Sequence, residues 1–458
     1  MYVSGIGLWN VRGFTGERTV DELPLSTARE GGGWTVIAGR NGSGKSTLLR
    51  ALALALAGPQ VARTLVQDFG NWIATGEQAA WVQAFVQRDP AVDRLTGSGG
   101  APGGRIVLGL DWTLPEATDG REGYGTAPQP HLSPYDGQDH GWKGAARGPW
   151  ADHPQGWFCA AYGPFRRLTG GAGDAQRMML APGPAGRMAS LFHEDVSLAE
   201  GVTWLKELRL RGLEGQESAT ALLEAVTELL SDGLLPDGYR AQRVTADGLW
   251  IAPENHPERA YPLREMSDGF RTVASLVLDI VRQVQNAYGT LDFGVDGRGR
   301  PVVGMPGVVI VDEIDAHLHV TWQRRIGEWL RTHFPRIQFI VTSHSPYICQ
   351  AADPGGLIRL PSPEEEGRGP EVVDDALHRR IVYGSGEDAV LSDLFGLETP
   401  YSSRAEAERA RLVRLERKVF DDVATDEELR EYRELSDLLT SSLSARVDEV
   451  AARLGGGR

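Results

Sequence analysis

Trp34-Thr-Val-Ile-Ala38, then Gly39-Arg-Asn-Gly-Ser-Gly-Lys-Ser-Thr47, then Leu48-Leu-Arg-Ala-Leu-Ala-Leu-Ala-Leu-Ala57 form the stretch on which the fold turns. The short apolar run predicts a buried strand. The Ala/Leu run after the loop is made of strong helix formers, so the order reads strand, glycine loop, helix. The loop fits G-x-x-x-x-G-K-[ST]. Its glycines let successive backbone N–H groups turn toward phosphate oxygens, and the helix start adds the positive end of its dipole. In such a loop Asn41, Gly42, Ser43, Gly44 and Thr47 surround the phosphates, Lys45 reaches the β- and γ-phosphates, and the Ser46 hydroxyl holds Mg²⁺. An incidental lysine in a glycine turn would lack these flanks.

A second apolar run, Val308-Val-Ile-Val311, ends in Asp312-Glu313. A strand buried on both faces delivers Asp312 at its carboxyl end, where it can hold Mg²⁺ through water. Glu313 then stands where a water attacking the γ-phosphate needs a base or an orienting acceptor. A third apolar strand ends at Val341-Thr-Ser-His344-Ser-Pro346, whose imidazole can contact the γ-phosphate or that water.

Met266-Ser267-Asp268-Gly269-Phe270-Arg271 precedes a predicted helix over 270–286. It resembles the LSGGQ signature of ATP-binding-cassette ATPases, in which the serine hydroxyl and the N–H groups at the helix start meet ATP held by the opposite protomer. On this resemblance Ser267, Asp268 and Gly269 bind nucleotide across a head dimer. An N-capping serine before an ordinary helix is the other reading.

Asp315-Ala-His317-Leu-His319-Val-Thr-Trp-Gln323 resembles the corresponding stretch of bacterial ATPases related to the RecF recombination mediator and the overcoming-lysogenization-defect group. His319 stands where transporter cassettes place aspartate, and Val320 where the bacterial group has proline. Two histidines alternating on a loop, with no third ligand in view, do not make a metal site. Tyr162-Gly-Pro-Phe-Arg166-Arg167, followed by Leu191-Phe-His-Glu-Asp195, resembles the ATPases of Septu-type and retron-linked antiphage systems. Arg166 suits phosphate geometry, and a purely structural arginine suits the position equally.

These motifs predict an α/β fold: an ABC-type P-loop ATPase head with a mixed sheet flanked by helices, helical and irregular insertions and a C-terminal helical hairpin. The expected division is 1–62 for the N-terminal lobe, 63–156 for a helical and Gly/Pro-rich insertion, 157–350 for a lid-like loop, a helical subdomain and the signature, acidic-strand and switch-histidine part of the ATPase core, and 351–458 for a C-terminal extension with the helical hairpin. Within the insertion a single strand is predicted, near Arg105–Trp112. Helices are predicted near 197–235, too short for a long coiled-coil arm, and a hairpin at 244–252. Beyond Ser403 the leucine-rich spacing Leu435, Leu439, Leu443, Val447, Val450, Leu454 suits either assembly or plain packing.

The 458 residues suffice for a large core, and no apolar run approaches the roughly 20 needed to cross a bilayer. The opening residues do not read as a secretion signal, and two cysteines exclude a disulfide framework, so a cytoplasmic, non-membrane protein is expected. The formal charge of −15 argues against coating nucleic acid, although direct contact with DNA stays open through local basic clusters. The resemblance implies ATP and Mg²⁺ as cofactors, a second copy as partner, and a sensor or scaffold role for a separately encoded effector such as a nuclease in antiphage defence. The alternative it implies is a RecF-like role in DNA repair or recombination. A transporter motor fits worst, because such cassettes are far shorter.

Overall fold

The structure, a computed structural model, describes residues 1–25, 32–97, 105–115, 129–135, 142–167, 173–180, 183–235, 238–397 and 399–439. The runs Gly33–Ala38, Ile337–Ser343, Gly307–Val311 and Cys159–Tyr162 lie side by side as parallel strands, with Leu357–Arg359 and the short antiparallel Glu371–Val372 beyond Gly33–Ala38. Both faces of these strands are covered, which is why they read as unbroken apolar runs rather than as alternation. Ile37, Ala161, Val308, Ile310 and Ile340 pack into one core, while Trp34, Val36, Tyr162, Val309, Val311, Phe339 and Val341 pack into the other.

The first core is closed by an antiparallel five-stranded sheet, in the order Val20–Pro24, Tyr2–Trp9, Ala79–Gln87, Arg105–Thr113, His131–Pro134. The helix Lys45–Ala57 runs through this core with its leucines and alanines buried, and the small alanines allow close packing around it. Gln338 ties the two sheets together: its side chain accepts from Val3 N at 2.7 Å and donates to Val3 O at 2.8 Å, fully buried.

Three of the five strands come from 63–156, the stretch expected to be a helical and irregular insertion. Ala79–Gln87 escaped the sequence reading because only Ala80, Val82, Ala84 and Val86 carry its buried face, while Trp81 and Phe85 on the other face blur the alternation. Lengths of irregular chain remain there, and parts of the segment lie outside the described residues.

The second core is closed by the helices Glu200–Leu213, Glu217–Ser231, Asp268–Tyr288 and Val320–His333. A small sheet of Tyr239–Thr245, Gly248–Pro253 and Tyr261–Pro262 leads into the helix Asp268–Tyr288. Met1–Phe395 form one compact unit and Gly396–Arg458 another. The second unit begins with the helix Ser403–Phe420, and 426–439 is helical as well. Leu443, Val447, Val450 and Leu454 lie outside the described residues. Among the described residues no helix is long and apolar enough to cross a membrane.

Candidate functional site

Each of the four adjacent parallel strands delivers a loop at its carboxyl end. In order across the sheet these are Gly39–Thr47 after Gly33–Ala38, His344 after Ile337–Ser343, Asp312–Glu313 after Gly307–Val311, and Gly163–Arg167 after Cys159–Tyr162. Residues far apart in sequence therefore meet along one edge, the place where parallel α/β sheets bind ligands.

In the glycine loop, Asn41 and Gly42 are exposed, Ser43 and Lys45 are buried, and Ser46 and Thr47 are half-buried. Gly44 sits at φ 96°, and a Cβ there would lie 2.9 Å from the Phe14 ring, so both conformation and space demand glycine. Lys45 Nζ donates to Gly39 O at 2.9 Å and Arg40 O at 3.1 Å. Desolvation lowers the Lys45 pKa, against the opposing pull of Asp312, Glu313 and Asp315. Arg18, which the sequence did not mark, donates to Ser43 O at 2.6 Å from below the loop. Ser43 Oγ and Arg18 Nε and Nη1 are buried without a protein partner. These orphaned donors suit an anion in the loop.

The acidic turn is held from the neighbouring strand. Glu313 N donates to Thr342 Oγ1 at 2.7 Å, and Thr342 Oγ1 donates to Asp312 Oδ1 at 2.6 Å. Asp312 is 2% exposed, whereas Glu313 is half-buried and has φ 47°, a left-handed backbone. Arg166 lies buried under this turn with its guanidinium on main-chain carbonyls, so the choice between a phosphate contact and a structural arginine falls to the carbonyls. Burial lowers the Arg166 pKa to about 10, opposed by Asp312, Asp315 and Glu313.

His344 stands exposed beside these groups. Partial desolvation first, then repulsion from Lys45, hold its imidazole below the ordinary value despite Asp315, Glu313 and Asp312, which keeps it neutral near pH 7. Its loop is braced by Gln323: Ser345 Oγ donates to Gln323 Oε1 at 2.7 Å, and Gln323 Nε2 donates to Leu318 O at 2.9 Å. His319 serves as N-cap of Val320–His333, accepting weakly from Thr321 N at 3.4 Å, a role aspartate often fills. Among the described residues no group of three or more His, Cys, Asp and Glu side chains is placed to hold a metal on its own.

Ser267 occupies the N-cap position of Asp268–Tyr288, yet its exposed hydroxyl makes no capping bond. The ordinary N-cap reading therefore leaves that hydroxyl unexplained. Asp268 pairs with Arg271, and Gly269 packs so closely that a Cβ would lie 2.8 Å from His317 O. The helix start is thus seated on the turn that follows Glu313.

A family described as "AAA domain, putative AbiEii toxin, Type IV TA system" matches residues 247–350, and one described as "AAA domain" matches residues 6–75. The first span contains Ser267, Asp312, Glu313 and His344; the second contains the glycine loop. Both matched spans are thus similar to AAA domains, and together they hold the residues expected of an ABC-type P-loop ATPase head. It is similar to Septu protein PtuA of Bacillus mycoides, 35% identical over 103 residues, which are 22% of this chain and 13% of that protein. It is similar to the Retron Ec83 probable ATPase of Escherichia coli, 38% identical over 89 residues, 19% of this chain and 15% of the relative. The matches thus span only a small part of these relatives' lengths. Among solved structures, an SMC head bound to the C-winged helix domain of ScpA aligns at TM-score 0.46 and 16% identity, covering 81% of this chain and 98% of that one.

Proposed function

We propose that this ATPase binds Mg–ATP at the carboxyl edge of the parallel sheet, hydrolyses it, and closes on a second copy of itself around the nucleotide. The observation that carries the reading is the convergence of Lys45, His344 and Asp312–Glu313 on three adjacent strand ends. The glycine loop wraps the phosphates with backbone N–H groups, and Lys45 exchanges its loop carbonyls for phosphate oxygens. Ser46 and Asp312 would hold Mg²⁺, which neutralises phosphate charge when bound. Glu313 accepts a proton from, or orients, the attacking water, while neutral His344 donates toward the γ-phosphate. Ser267, Asp268 and Gly269, exposed or half-exposed at a helix start, serve the nucleotide of the opposite copy.

The likeness to Septu and retron ATPases supports a place in bacterial antiphage defence. In this reading the ATP-bound dimer is a sensor or regulatory scaffold that restrains or licenses a separately encoded effector of the nuclease class. The net charge of −15 favours a protein partner over a broad nucleic-acid surface. Replacing Lys45 by alanine tests the foundation. ATP affinity measured by direct titration should be lost, and unchanged affinity would remove the site assignment.

A further inference from the structure

We infer that Arg166 is a positioning residue for hydrolysis, fixing the turn that presents Glu313 rather than touching nucleotide. The inference rests on reading Glu313 as the group that orients or deprotonates water. Arg166 Nη1 donates to Gly163 O at 2.7 Å and to Asp312 O at 2.9 Å, and Nη2 donates to Glu313 O at 2.9 Å and Ile314 O at 3.3 Å. A guanidinium carries two hydrogens on each Nη, so those four contacts use all of them. Only Nε is left, buried without a partner. No donor on either Nη remains for a phosphate.

The turn needs such a clamp. Glu313 adopts φ 47°, a region that side chains bearing a Cβ enter only when their surroundings hold them there. The carbonyls of Asp312, Glu313 and Ile314 converge on one cation; Glu313 O also accepts from Ala316 N at 2.9 Å, so Arg166 is the side chain that draws three successive carbonyls together rather than the sole partner of each. On the other side Thr342 fixes Glu313 N and the Asp312 carboxylate. The backbone of the acidic turn is thus gripped from both neighbouring strands, and the Glu313 side chain remains half-exposed to act.

The planar fork matters more than the charge, because a lysine ammonium offers three donors from a single nitrogen and cannot span four carbonyls. The test compares R166K and R166M with the full-length protein in steady-state ATP turnover, direct Mg–ATP titration and thermal melting. Each variant is also combined with E313Q. R166K should lower kcat by about tenfold and R166M by about 10²-fold, with KM and ATP affinity changed by no more than about twofold. In the E313Q background either substitution should add less than about threefold, because the group it positions is already gone.

Wild-type kcat in R166K would show that charge alone suffices and would overturn the inference. Weakened ATP binding with unchanged kcat at saturation would make Arg166 a nucleotide contact after all. Losses that multiply fully with E313Q would assign it a merely structural role. Should R166M fail to fold, R166K and its combination with E313Q decide the matter. Wild-type turnover by E313Q alone would remove the reading of Glu313 itself, an outcome distinct from a failure confined to Arg166.

Discussion

Thr342 shows at the level of single residues why part of this site is legible in the sequence and part is not. Lys45, Ser46, Asp312, Glu313 and His344 stand out because a phosphate site of the proposed kind would dictate both their types and their local spacing. Thr342, Arg18 and Gln323 act across strands and loops, on Asp312 and Glu313, on Ser43, and on Ser345 and Leu318 respectively. Thr342 and Gln323 lie within stretches already quoted for their motifs, but no local pattern announces which distant groups they hold, and Arg18 lies in no motif at all. Thr342→Val keeps the shape but leaves the Asp312 carboxylate and Glu313 N without their buried partner. It should therefore destabilise the fold by about 1–3 kcal/mol in denaturant unfolding and slow ATP turnover. Thr342→Ser should behave close to wild type. Equal stability for Val and Thr would mean that the hydroxyl does not hold the turn.

Among the elements, the parallel strands Gly33–Ala38, Gly307–Val311 and Ile337–Ser343 were legible because they are buried on both faces, and the helix Asp268–Tyr288 because its apolar stripe is long, whereas Cys159–Tyr162, read as part of a lid-like loop, and Leu357–Arg359 are too short to stand out. The strand Ala79–Gln87 was not, since two small alanines weaken the apolar signal of its inner face and the aromatics Trp81 and Phe85 sit on the other one. The C-terminal end of Val320–His333 carries a pH dependence of its own. His333 is 2% exposed, and its Nδ1 lies 2.6 Å from Pro301 O, so that nitrogen bears the proton of the neutral ring. Burial lowers its pKa more than Pro301 and Asp232 raise it, which means the unfolded chain takes up the second proton first, near pH 6.5. Its contribution to stability is therefore complete above about pH 6.5 and is lost as the pH falls through the depressed folded value. His333→Gln should flatten the decline in stability as the pH falls below about 6.5, followed by urea melts. An unchanged slope would show that this ring is not the titrating group.

For the whole molecule, every candidate site residue belongs to the unit Met1–Phe395, and Gly396–Arg458 stand as a second compact unit. A chain ending at Phe395 should fold and bind ATP within about twofold of the full protein, because no site group is removed. Its assembly mass in light scattering should fall if the leucine-rich tail joins copies or an effector. Loss of ATP binding on truncation would place the tail inside the head's own stability. The account as a whole depends on one carboxylate at the edge where two heads would meet. Glu313→Gln retains Ser46 and Asp312 for Mg²⁺ but removes the acceptor for water, so turnover should fall by about 10²–10⁴-fold while ATP still binds. On the proposed closure of two heads around ATP, unhydrolysed ATP would keep them together, so this variant should accumulate as an ATP-dependent dimer. The decisive measurement is therefore light scattering of Glu313→Gln with and without Mg–ATP, alongside its turnover. A dimer that appears only with ATP, with hydrolysis stalled, is the predicted result; a monomer turning over ATP at the wild-type rate would contradict the account.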